Sequence, residues 1–214
     1  MSDAASVQSR RRTLWPWLVL GGFLVAVLAM RLLGAYVSAS NLPVLTVVPS
    51  FSLVDQTGAA FHSHELGGRV WIASFIYTSC PGPCPRVVQR LADVQRQLGA
   101  EPDLSVVSFS VDPAADTPDV LAAYARTHSI DAARWKLVTG SENDVLQLVR
   151  RGFLEAIEKN DTETRATEGA VVHSLHLVLV DRSMRVRGYY DSTDPAAMKR
   201  LVEDTRRLLR NPGA

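Results

Sequence analysis

Two apolar runs constrain this chain more than anything else in it: Val70 to Tyr77 reads VWIASFIY, and Leu104 to Val111 reads LSVVSFSV. A strand with one wet face alternates apolar and polar residues, whereas a run that is apolar nearly throughout suits a strand covered on both faces. Between the two runs, Val87, Val88, Leu91, Val94 and Leu98 recur at helical spacing, and Gly99 is a stop. Strands covered on both sides need helices above and below them. The pattern therefore predicts an α/β domain with a mixed central sheet and helices on both faces.

The remaining segments fit that plan. FSLVDQTGAAFHSHELGG, from Phe51, reads as two short strands around Gln56-Thr57-Gly58, an N-terminal β-hairpin. Asp116-Thr117-Pro118 opens a helix that either polar residue can cap, with Leu121, Tyr124 and Ala125 along it. Trp135 to Val138 is a short strand, and Ser141 caps a helix that turns Val145, Leu148 and Val149 inward. Residues 151–170 are polar and poorly periodic, a surface excursion or hairpin. Leu175 to Val180 (LHLVLV) and Arg185 to Tyr190 are further strands, and a helix runs from Asp194 to Leu209. No internal repeat interrupts this domain, which spans 51–210.

Ahead of it, Leu14 to Met30 is free of charge, follows RRR at 10–12, and is flanked by Trp15 and Trp17 near its start. A helix rising about 1.5 Å per residue over that run covers most of a hydrocarbon core of roughly 30 Å. Arg31 can snorkel and let the helix reach Val37. The expectation is a cytoplasmic N-terminus at 1–12, a single transmembrane anchor at 13–37, a linker at 38–50, and an exported domain. In a bacterial cell that places the domain on the periplasmic side of the inner membrane. Val37-Ser38-Ala39 also offers a cleavage site, and Ser9-Arg10-Arg11 weakly resembles a twin-arginine start, so a removed signal peptide is the competing reading. Of 23 basic and 22 acidic side chains, four and one fall in the first 42 residues, which leaves 19 and 21. That slight negative excess argues against nucleic acid as a partner.

The chain has two cysteines, Cys80 and Cys84, in FIYTSCPGPCPRVVQRL, where the first apolar run gives way to a helix. Export to an oxidising compartment makes a structural disulfide the plain reading. The spacing also allows chemistry. Sulfurs four residues apart share a helix face, and amides at a helix N-terminus favour thiolates. Pro81, Pro83 and Pro85 limit the freedom of the segment. Thiol oxidoreductases of the thioredoxin type use CxxC; CxxxC is wider by one residue and suits chelation. Two soft sulfurs suit Cu(I) or Zn(II); zinc wants four ligands, while Cu(I) accepts two or three.

A further ligand is most simply a histidine. His62 and His64 fall in the early hairpin as solvated residues, and His128 follows the capped helix at the surface. His176 lies within LHLVLV, where burial in the sheet is expected. His173 stands at the loop-to-strand entrance; because residues three apart on a strand point to opposite faces, it would not share an ion with His176. Asp112, in SVDP, reads as a turn residue.

FIYTSCPGPCP, SVDPAADTPDVLAAY at 110–124, HSLHLVLVD at 173–181 and the FSLVDQTGAAF opening together resemble the Sco/SenC family, in order and over about 51–209. The resemblance implies a thioredoxin-like fold and copper bound by Cys80, Cys84 and His173. It implies delivery of copper to the binuclear site of cytochrome c oxidase subunit II, or action on that site's thiols together with a thiol reductant. Many members carry an acid immediately before the histidine, where this chain has Val172. No proline lies between Pro118 and Pro195, so the cis-proline that faces the cysteines of thioredoxins has no counterpart here.

Overall fold

The computed structural model describes residues 17–31, 42–80, 82–153 and 175–211. The chain divides into two compact units, Met1–Asn41 and Leu42–Ala214. In the first, residues 17–31 form helix α1, with Trp17, Leu18, Phe23, Leu24 and Met30 exposed. Among the described residues no helix is long and apolar enough to cross a membrane. Of the expected anchor, 13–16 and 32–37 lie outside the described residues, as do 1–12 and the first part of the linker, 38–41.

The second unit is built on one sheet. Its strands are β1 (Thr46–Val47), β2 (Ser52–Asp55), β3 (Ala60–His62), β4 (Val70–Ile76), β5 (Leu104–Ser110), β6 (Trp135–Thr139), β7 (His176–Val180) and β8 (Arg185–Asp191). Their spatial order is β1-β8-β7-β4-β5-β6-β2-β3. β4, β5 and β6 are parallel, and the remaining pairs are antiparallel. The two apolar runs are thus neighbouring central strands, buried at every position. The expected hairpin is β2–β3.

The helices are α2 (Pro83–Leu98), α3 (Pro118–Thr127), α4 (Glu142–Leu148) and α5 (Pro195–Arg210), and α3 and α4 begin where their caps predict. Thr117, Ser141 and Asp194 accept from Val120, Asp144 and Ala196 amides, each satisfying a donor that the first helical turn leaves over. Leu91, Leu121 and Leu201, from α2, α3 and α5, pack on Ile72, Ile76, Val106, Leu137 and Leu177. The opposite face carries α4 with Trp71, Phe75, Val107, Phe109 and Phe153.

Two stretches differ from the sequence expectation. Thr46 and Val47 pair with Val186 and Arg185 as β1, and Val48 is buried, so packed structure begins at Leu42, within the stretch read as linker. Main-chain pairing at a sheet edge needs no apolar pattern, and a two-residue strand leaves none. Phe153 belongs to the segment read as a polar excursion, yet a π-helical turn, Val149–Phe153, continues α4 and seats its ring 5.2 Å from Phe75 and 6.3 Å from Trp71. Residues 154–174 lie outside the described residues.

Candidate metal centre

β4 ends at Ile76, and the chain turns through Tyr77, Thr78 and Ser79 to Cys80. The Cys80 amide donates to the Tyr77 carbonyl at 3.3 Å, which closes that turn. Gly82 then caps α2, whose first residue is Pro83, so Cys84 sits in the first helical turn. Proline suits that place because no intrahelical partner exists for its missing N–H. The Cys84 amide, one of the donors left over at the helix start, donates to Cys80 Sγ at 3.4 Å. Both cysteines are free and buried. The predicted turn between strand and helix is therefore present, with the two sulfurs at the carboxyl end of a central strand, where open α/β sheets bind ligands.

The two thiols differ. Burial opposes ionisation of Cys80, but hydrogen bonds from Cys84, the Gly82 amide and Tyr77 hold its thiol below the ordinary value. Burial pushes the Cys84 thiol up to about 12, and the adjacent Cys80 and Asp116 add to the rise. One sulfur is thus set to ionise first and the other to keep its proton until something replaces it.

Asp116 and Tyr124 complete the described surroundings, and neither was assigned to the site from sequence. Asp116 was a candidate cap, but Thr117 takes that place; the Asp116 carboxylate turns inward and is fully buried. It accepts from the Thr78 hydroxyl at 2.5 Å, from the Thr78 amide at 3.2 Å and from the Ser110 hydroxyl at 2.5 Å. Tyr124, an inward residue of α3, has a buried hydroxyl with no hydrogen-bond partner among the described residues. Burial raises its ionisation well above the ordinary range, and the Cys84, Cys80 and Asp116 charges act in the same direction. The available signal was a pair of polar groups, in Asp-Thr-Pro and on an inward helical tyrosine, facing a strand end that carries cysteines.

The histidines separate. His62 and His64 stack on each other at 5.2 Å on the hairpin. His128 caps α3 at its C-terminus and packs on Tyr124 at 4.2 Å between ring centroids. His176 is half-buried rather than enclosed: it opens β7 opposite Asp191, a carboxylate held low chiefly by Thr193 and further by this imidazole. The edge position of a first strand residue explains the difference. Asp112 closes the turn its sequence suggested, its carbonyl accepting from the Ala115 and Asp116 amides. Val172 and His173 lie outside the described residues, and among the described residues no group of three His, Cys, Asp or Glu side chains is placed to hold a metal. β7 does run antiparallel to β4, with Ala73 opposite Val178. The start of β7, just after His173 in sequence, thus lies at the end of the sheet from which the cysteines emerge.

A family model described as SCO1/SenC matches residues 40–210. The chain belongs to the SCO1/SenC family. It is 28% identical over 161 residues to the SCO1 protein homolog of Bacillus subtilis, covering 74% of this chain and 81% of that one. Among solved structures it resembles BsSco, described as a Sco-family cytochrome c oxidase assembly protein with a disulfide switch, at TM-score 0.65 and 27% identity over 79% of this chain and 98% of that one. Bradyrhizobium japonicum ScoI with copper bound aligns at TM-score 0.59 and 21% identity over 76% of this chain and 99% of that one, a likeness of fold. The mixed sheet with its two helical faces is the thioredoxin-like fold of Sco proteins.

Proposed function

We propose that this Sco protein carries copper on Cys80, Cys84 and His173 and delivers it to the binuclear copper site of cytochrome c oxidase subunit II. The observation that carries the reading is a pair of free, buried cysteines, with the Cys84 amide of the first helical turn 3.4 Å from Cys80 Sγ, at the sheet end where β7 begins. Two thiolates and a neutral imidazole make a soft three-donor set that suits Cu(I) as cargo. Transfer then proceeds by ligand exchange, one sulfur at a time, with Cys84 regaining a proton as it lets go. Family membership supports the choice of metal.

The full chain is expected to bind one copper, and Cys80→Ala, Cys84→Ala and His173→Ala each to weaken binding severely. Stoichiometric binding that survives both Cys80→Ala and His173→Ala removes the reading. In the Cu(II)-loaded chain, a sulfur-to-copper charge-transfer band that changes in His173→Ala identifies the imidazole as a ligand.

The unequal thiols favour a second reading, reduction of the target's cysteines before metallation. The Cys80 thiolate attacks a target disulfide sulfur, forming a mixed disulfide and releasing one target thiolate. Cys84 then attacks Cys80, its proton passing to the second target thiolate, and the Cys80–Cys84 disulfide carries the oxidising equivalents away. A separate thiol reductant resets the pair. Single-turnover reduction of the oxidised target by His173→Ala separates this activity from copper delivery.

Anchoring belongs to the same reading: 13–37 spans the bacterial inner membrane once and holds the domain on the periplasmic side. The apolar run behind RRR and the exposed apolar side chains of α1 support it. Retention of the chain in alkali-washed membranes is expected; full release of an uncleaved chain removes it.

A further inference from the structure

Asp116 is fully buried, and every donor to it named above is neutral: the Thr78 amide, the Thr78 hydroxyl and the Ser110 hydroxyl. No ion pair to Asp116 occurs among the described residues. A buried carboxylate without a countercharge is expensive to maintain. Capping does not explain it, because Thr117 caps α3. What it ties together is specific: Thr78, two residues before Cys80, and Ser110, the last residue of β5. Its field reaches Cys84 and Tyr124.

We propose that Asp116 is a positioning residue that fixes the cysteine turn against the end of β5, and that its charge biases bound copper toward the oxidised state. The inference rests on the copper reading above. Cu(I) displaces two thiol protons to solvent and leaves the Cys80 and Cys84 thiolates around one positive charge, net minus one, and any neutral further ligand leaves that count unchanged. The same ligands around Cu(II) are net neutral. A fixed negative charge nearby therefore raises the energy of the Cu(I) form and leaves the Cu(II) form nearly untouched. The bound couple, Cu(II) + e⁻ → Cu(I), is thereby shifted to lower potential. The hydroxyls of Thr78 and Ser110 spread part of that charge, so removing one of them strengthens the bias.

The measurement is the copper potential of the loaded full chain, with an electrode and mediators supplying the electron. Asp116→Asn is expected to favour Cu(I) over Cu(II) by about tenfold or more, an upward shift of about 59 mV for a one-electron couple. Ser110→Ala, which keeps the charge and loses a donor, is expected to shift the potential downward. Opposite signs distinguish a field from simple loosening, which moves both variants the same way. Shifts of the same sign, or no shift in Asp116→Asn, overturn the proposal. If Asp116→Asn does not fold, Ser110→Ala decides alone, and an unchanged or raised potential there overturns it. A wild-type chain that takes up no copper overturns the copper reading and this proposal with it, and does so before any variant is compared.

Discussion

Two buried aspartates stand at opposite ends of the central sheet and are satisfied in opposite ways. Asp181, just after β7, meets Arg187 and Arg185 at 2.7 Å each and accepts from the Ser183 and Arg185 amides. Arg187, itself buried, also donates to the Leu42 carbonyl at the start of the domain. Asp116, just after β5, has only neutral donors among the described residues. The first charge is cancelled and joins the chain's entry to a strand turn. The second is left uncancelled beside the cysteines. The contrast separates a charge the fold requires from one whose field can act on what binds next to it.

The largest effect should come from breaking the cancelled pair. Asp181→Ala leaves a buried guanidinium without its partner and should lose about 3–5 kcal/mol of stability, read by denaturant unfolding. Copper stoichiometry in the surviving folded fraction should not change. A loss under about 1 kcal/mol would mean that Arg187 finds other compensation and that the two aspartates are less different than their partners suggest.

A second test separates the sites by thiol ionisation, followed through thiolate ultraviolet absorbance. Cys80 should ionise below the ordinary thiol value of 9.0, and Cys84 only near 12. Asp116→Asn should bring the upper step down, because the carboxylate is one cause of its rise, while Asp181→Asn should move neither step. A single step at the ordinary value would erase the distinction between the two sulfurs.

Acid exposes the cancelled charge in another way. Burial opposes ionisation of Asp181, but the Arg185 amide, the Arg187 and Arg185 guanidiniums and the Ser183 amide hold its folded value below the ordinary one. Asp55, bonded to Lys136 and Thr57, is lowered too. A depressed folded value contributes stability that is complete above the unfolded value, about 3.9, and disappears as pH falls through the folded value. Stability should therefore decline with pH below about 4, and the decline should be shallower in Asp181→Asn. An identical acid limb in that variant would reassign the dependence to other carboxylates.

Much of this was legible in the sequence, for physical reasons that differ by residue. The runs at 70–77 and 104–111 announce central strands because apolar side chains on both faces have few other uses. Thr117, Ser141 and Asp194 mark helix starts because only a short polar side chain reaches the spare amides. The cysteine pair was found because a strand-to-helix bend with two sulfurs is chemically unusual. β1 and Phe153 were missed because edge pairing and a π-turn are decided by tertiary contacts, which leave no period in the sequence. Asp116 was missed because the same residue type serves as cap and as buried acceptor, and only the direction of its side chain tells which. His173 rests on resemblance; its position lies outside the described residues.

The smallest effect probes that ambiguity directly. Thr117 and Asp116 are neighbours: one accepts from the Val120 amide at the start of α3, the other from Thr78 and Ser110. Thr117→Ala removes the cap and should lose about 1 kcal/mol. It leaves the buried carboxylate and its donors in place, so the potential of bound copper should stay at the wild-type value. Equal displacement of that potential by Thr117→Ala and Asp116→Asn would show that any loosening of this corner disturbs the metal. The uncancelled charge would then have no role of its own, and the two aspartates would differ only in how the fold satisfies them.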